Sequence, residues 1–163
     1  DGLSVTSPER RLEVMKDSAT GAFGAIAAII ILVLKTVTLS EMSLPLWLVL
    51  LSVTGWARWG QVCAIAFYPY RRETGKGSFN RENLRLPQDI LLGLVVLLCF
   101  SGWWLTVDYL SWWQIGSIVG GNIAIALLTG YWFYKQLGGH TGDTYGAVVE
   151  WSEVLSLCFL TAF

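Results

Sequence analysis

Apolar residues along the chain gather into five long runs, at 19–39, 44–68, 90–107, 112–134 and 145–163, separated by short polar stretches. Each run is near or above the roughly 18–20 residues a helix needs to cross a hydrocarbon core at about 1.5 Å per residue. Strict two-residue alternation is absent, which argues against an outer-membrane barrel. Lipid forces each spanning backbone to satisfy its own hydrogen bonds. The pattern therefore predicts an all-α fold, a polytopic transmembrane helical bundle of about five spans.

The polar positions orient that bundle. Five crossings put the N-terminal stretch, the 69–89 loop and the 135–144 loop on one side, with Arg10, Arg11, Lys16, Arg71, Arg72, Lys76, Arg81, Arg85 and Lys135. The loops at 40–43 and 108–111 carry no basic residue and one acid each, Glu41 and Asp108. An excess of Lys and Arg marks the cytoplasmic side. Trp103, Trp104, Trp112 and Trp113 surround the opposite loop, as an aromatic belt would.

Composition agrees with a lipid setting. Charged residues make up 14% of the 163 and hydrophobic ones 54%, whereas soluble domains carry about 25% charged residues. A net charge of -1 offers no general attraction to nucleic acid. Cys63, Cys99 and Cys158 fall inside apolar runs without metal-ligand spacing, so they read as buried structural thiols. Residues 1–163 are expected to form one integral-membrane domain. The opening Asp1-Gly2-Leu3, with no initiator methionine, predicts a piece of a longer chain.

Two polar islands at the predicted cytoplasmic face offer chemistry. In the first, Ser7-Pro8-Glu9 reads as a helix start. Glu9, Glu13 and Asp17 then fall four apart on one face. Like charges at this spacing repel unless something positive sits among them. Either a divalent cation such as Mg²⁺ supplies that charge, or Arg10, Arg11 and Lys16 do. In the second island, Gly138, Gly139 and Gly142 let backbone approach an anion closely, and Thr141 or Thr144 caps the helix headed by Asp143. Glu150 and Glu153 follow on roughly the same face and should look into the bundle interior or a wet cavity.

His140, the one histidine, is either a general base or a hydrogen-bond donor to phosphate or backbone. Arg58, near the middle of the second run, should pair with an intramembrane acid or a substrate phosphate. Lys35 lies near the end of its span, can snorkel, and is given no role. The basic, Gly-containing 69–77 stretch suits phosphate, but the positive-inside rule alone also accounts for it.

Taken together the chain resembles the cobalamin synthase family, the adenosylcobinamide-GDP ribazoletransferases of bacterial and archaeal membranes. The matching residues are Asp1-Gly2-Leu3; Glu9 to Ser18 followed by Gly21, Phe23 and Gly24; Arg58-Trp59; Pro69-Tyr70, Arg72, Gly75 and Gly77; and Gly138-Gly139, Thr141-Gly142-Asp143, Gly146-Ala147 and Glu153. They occur in the family's order across essentially the whole chain. The resemblance departs in two places. Family members carry further acids and apolar spans upstream of the position of Asp1, and often a basic residue where Ala19-Thr20 stands.

The resemblance implies a multi-pass inner-membrane, Mg²⁺-dependent transferase whose active site faces the cytoplasm. It joins adenosylcobinamide-GDP to α-ribazole or its 5′-phosphate and releases GMP. It places Asp1, Asp17 and Asp143 on Mg²⁺ with Glu13 as an outer candidate, and makes Asp17, Asp143 and His140 the catalytic candidates. Lys16, Arg58 and Arg72 would stabilise the diphosphate, and the Gly138–Gly142 loop, with Gly139, Thr141 and Gly142, would cradle it. Partners would be the two substrates, the bilayer, and either other corrinoid-pathway enzymes or a second copy. Two alternatives remain: a CDP-alcohol-phosphotransferase-like enzyme, whose signature is not found, and a small transporter using Arg58, Glu150 and Glu153.

Overall fold

A computed structural model describes residues 7–15, 21–71, 76–107 and 110–163. The described residues form seven helices: α1 Pro8–Val14, α2 Ala22–Ser40, α3 Leu46–Phe67, α4 Lys76–Asn83, α5 Gln88–Trp103, α6 Trp112–Leu137 and α7 Gly142–Leu160. A 3-10 turn, Trp104–Val107, extends α5. No strand occurs among the described residues. The all-helical expectation therefore holds.

Among the described residues, four elements are long and apolar enough to cross a membrane: α2, α3, Gln88–Thr106 and α6. The fifth predicted run forms α7, which has the 19-residue length of α2 but carries Asp143, Glu150 and Glu153. These acids leave it less apolar than the other four. It compensates by packing, because α7 lies against α3, α6 and α2 at the centre of the bundle.

The core is built on α3, of whose apolar span 61% is buried. Leu48, Val49 and Val53 join Trp104, Ile115, Ile118, Leu157 and Leu160 at one end. Trp56, Trp59 and Cys63 meet Leu97 and Ala126 in the middle. Ala64 and Ile65 meet Phe133, Tyr145 and Val148 at the other end. Small residues let α3 and α6 approach closely: a Cβ on Gly60 would lie 2.9 Å from the Ala126 Cβ, and one on Gly130 would lie 3.4 Å from the Ala64 Cβ. Both contacts advance together along the two chains, so α3 and α6 run parallel. Small-residue contacts of this kind are how helices associate where lipid removes the hydrophobic drive.

Several details depart from the sequence reading. Only Cys63 is buried; Cys99 and Cys158 stand on outer faces. Trp103, Trp112 and Trp113 are exposed as a belt requires, and Trp47 joins them, but Trp104 turns inward at 2% exposure. These thiols and this indole sit in runs apolar on every face, where composition carries no rotational information.

Candidate functional site

The three polar segments of the predicted cytoplasmic face meet at one end of the bundle. α1 starts as expected, with the Ser7 hydroxyl accepting from the Arg10 N–H and proline in its first turn. It docks on α6 through Arg11, whose guanidinium donates to the Gln136 carbonyl at 3.0 Å and to its side-chain oxygen. A cation at the last turn of a helix is favoured by the unsatisfied carbonyls there.

Just beyond, α6 stops at Gly138, which adopts φ 67° and donates its N–H to Tyr134. Residues 69–71 run alongside the next stretch. His140 N–H donates to the Pro69 carbonyl and Arg71 N–H to the His140 carbonyl, both at 2.8 Å. Glycine at 139 permits this approach: a Cβ there would fall 2.6 Å from both the Pro69 oxygen and Arg71 Cγ.

α7 then begins with a reciprocal cap. The Thr141 hydroxyl accepts from Thr144 N–H at 3.3 Å, and Thr144 Oγ1 accepts from Thr141 N–H at 2.8 Å. Thr141 and Thr144 are both buried, so Thr141 serves the cap, and the exposed residues of this first turn are Gly142 and Asp143.

His140 is buried at 0% exposure. Its Nε2 lies 3.1 Å from the Gly130 carbonyl, which can only accept, so Nε2 carries the proton. Nδ1 faces the Thr144 hydroxyl at 3.1 Å. Burial lowers the imidazole pKa to about 4, a shift the Gly130 hydrogen bond only partly opposes. Of the two roles open to it, this geometry favours the backbone hydrogen-bond donor over the general base.

The ring also lies in an aromatic column that the sequence reading missed. Tyr134 stacks on Tyr68 at 4.7 Å, Tyr68 is 5.4 Å from His140, His140 stacks on Tyr145 at 5.3 Å, and Tyr145 on Tyr70 at 6.0 Å. The available signal was tyrosine at the ends of elements beside the Gly-rich loop. The Tyr145 hydroxyl is buried without a hydrogen-bond partner among the described residues. Arg81 on α4 is near enough for its charge to act on it.

The remaining candidates divide. Glu13 pairs with Arg10 at 2.8 Å on an exposed face of α1, as the neutralisation alternative requires. Asp1, Lys16, Asp17 and Arg72 lie outside the described residues. Among the described residues no three His, Cys, Asp or Glu gather as a metal-binding group.

Arg58 stands on the outward face of α3, roughly 15 Å along the helix from Tyr68, and donates to Gln61 at 3.2 Å. It does not pair with the intramembrane acids. That expectation is corrected by Lys35, which reaches Glu150 at 2.8 Å and Glu153 at 2.5 Å. The reason is helix order: α2, not the outward face of α3, covers the acidic side of α7.

Comparison with known proteins agrees with this architecture. The family model described as cobalamin-5-phosphate synthase matches residues 1–161.

The chain belongs to the cobalamin-5-phosphate synthase family.

Three proteins named adenosylcobinamide-GDP ribazoletransferase illustrate the kinship. That of Trichormus variabilis is 55% identical over 99% of this chain and 64% of its own length. That of Synechocystis sp. is 47% identical over 99% and 63%, and that of Desulfitobacterium hafniense 37% identical over 96% and 62%. The chain thus spans rather less than two thirds of the relatives it matches. No solved structure matches it. For this synthase-family chain, the resemblance seen in the sequence holds, and the motif residues that the structure describes around 9–15, 69–71 and 138–147 converge at one end of the bundle.

Proposed function

We propose that this chain supplies the larger part of a membrane transferase that joins adenosylcobinamide-GDP to α-ribazole or its 5′-phosphate. The ribose hydroxyl oxygen forms a bond to the cobinamide phosphate, the diphosphate bond to the guanosine moiety breaks, GMP leaves, and the hydroxyl proton passes to solvent or a base. The observation that carries this reading is the gathering of three motif segments at one end of the bundle: α1 fastened to the last turn of α6, and residues 69–71 paired with the Gly138–Gly142 loop that leads into α7. Family membership and the names of the relatives support it.

Phosphoryl-type transfer needs positioning and charge stabilisation more than covalent help. The close passage of backbone at Gly139 and the open first turn of α7 suit a phosphate group. Arg81 brings positive charge, and the Tyr145 hydroxyl is a donor left uncommitted among the described residues. Mg²⁺, when bound, would neutralise developing phosphate charge. Its hard-oxygen preference suits Asp143, exposed at the site, with Asp17 and Asp1 as the further ligands we propose. Glu13 stays an outer candidate, and Lys16 and Arg72 are assigned to the diphosphate.

The site is read as cytoplasmic and the membrane as the inner one, following the basic residues. A transporter is not supported: the acids that would line its pathway are occupied by Lys35.

The test is GMP release from adenosylcobinamide-GDP by membranes carrying the full-length protein. Release should require both Mg²⁺ and α-ribazole or its 5′-phosphate. Unaltered release after Asp17→Ala and Asp143→Ala together would sink the site assignment.

A further inference from the structure

α2 is a helix with little to hold it. It packs chiefly on α7, and only 6% of its apolar span is buried. Apolar contact of that extent is non-directional and does not set rotation or depth. The other hydroxyl side chains of its second half turn back on themselves: Thr36 donates to Leu32, Thr38 to Leu34 and Ser40 to Val37. Lys35 alone among these four reaches another helix.

Its ammonium bonds Glu150 and Glu153, three residues apart on one face of α7. Lys35 and Glu153 are 21% and 16% exposed, so the inner pair is largely shielded. Glu150, 54% exposed, is the outer partner, and a charge held at this depth by the shielded Glu153 has few other places to go. Two anchors on one ammonium constrain both slide and rotation.

We propose that Lys35 is a positioning residue, whose paired bonds to Glu150 and Glu153 lock the register of α2 on α7 and so place the start of α2 relative to the head of α7, where Asp143 stands. The functional half rests on the transferase reading above. The structural half does not.

Spin labels decide the structural half. In the full-length protein with its native cysteines replaced, labels enter at Ala22→Cys and Gly146→Cys. Gly146 is exposed and a Cβ there meets no atom within 4 Å. The unaltered triad should give a narrow distance distribution, and Lys35→Met a broad one. Because Lys35→Met also strands two carboxylates and so endangers folding, a second variant neutralises all three groups: Lys35→Met with Glu150→Gln and Glu153→Gln. It should insert and fold, yet keep the broad distribution. Lys35→Arg should restore the narrow one.

GMP release by the same proteins without labels decides the functional half. The neutralised variant should lose about tenfold or more in kcat, as misplacement does, with KM within about twofold, and Lys35→Arg should recover. A narrow distribution in the neutralised variant overturns the proposal. A broad one with unchanged kcat overturns its functional half. If even the unaltered protein releases no GMP, the transferase reading fails, while the distance distributions still judge the register lock.

Discussion

Arg11 closes the C-terminal end of α6 by donating to the carbonyl and side-chain oxygen of Gln136, 125 residues away in the chain. This contact fastens the first polar island beside the second. Replacing it by Arg11→Met keeps the apolar stem and removes the donors. Charge-assisted bonds of this kind contribute about 1.5–3 kcal/mol when shielded, and this one is only partly so. The expected loss is roughly 1–2 kcal/mol of α1 docking, measured as about 5–30-fold faster amide exchange in α1 after the substitution, with exchange in α7 unchanged. Equal exchange before and after substitution would mean that α1 is held by something else.

Gly139 should tolerate no side chain. A methyl group would sit 2.6 Å from the Pro69 carbonyl, which is backbone and cannot swing away. Gly139→Ala is expected to cost about 1–3 kcal/mol, the usual range for overpacking, and to separate residues 69–71 from 138–140. Gly142→Ala, with nothing within 4 Å of its Cβ, is the matched control. Thermal melts of both variants in one detergent check this, and equal midpoints would refute it.

His140 makes stability depend on acid. Its folded pKa of about 4 lies below the ordinary 6.5, so between those values the unfolded chain binds the proton more readily. Stability is therefore complete above about pH 6.5 and lost as pH falls toward 4, by at most roughly 3 kcal/mol. His140→Gln removes the titration. Whatever its absolute stability, its midpoint should fall less than that of the unaltered protein between pH 7 and pH 5. Parallel slopes would show that His140 does not carry the effect.

Sidedness can be read with single cysteines in a cysteine-free background. Gly142→Cys, at the site, should react with a membrane-impermeant maleimide only when the cytoplasmic side is open. Glu41→Cys, between α2 and α3, should react only from the other side. Reversed labelling would invert the orientation taken from Lys and Arg.

The helical bundle was legible in the sequence because lipid-length apolar runs admit few other structures, and the meeting of the polar segments at one end because charge and glycine concentrate at the ends of those runs. The partner of Glu150 and Glu153 was not. Arg58 and Lys35 are both cations within apolar runs, and choosing between them requires knowing which helix lies over α7. His140 was left with two roles open for a similar reason. A histidine in a glycine-rich loop looks accessible, yet Tyr68, Tyr145 and the Gly130 carbonyl, contributed by three helices, enclose it. Thr141 and Thr144 read as caps from local order alone, since a cap is a contact between neighbours in sequence.

The burial of α3 bears on how the protein is made. With a mean hydropathy of 1.2, α3 is the least apolar of the four spans, and it holds Arg58 near its middle. A central arginine costs about 2.5–3.5 kcal/mol at the translocon. Yet α6 and α7, whose surfaces cover α3, are synthesised after it. Gly60 and Ala64 therefore wait for Ala126 and Gly130 until α6 has followed. The close seam at the centre of the bundle is thus completed late in translation, when the chain returns beside its own earlier span.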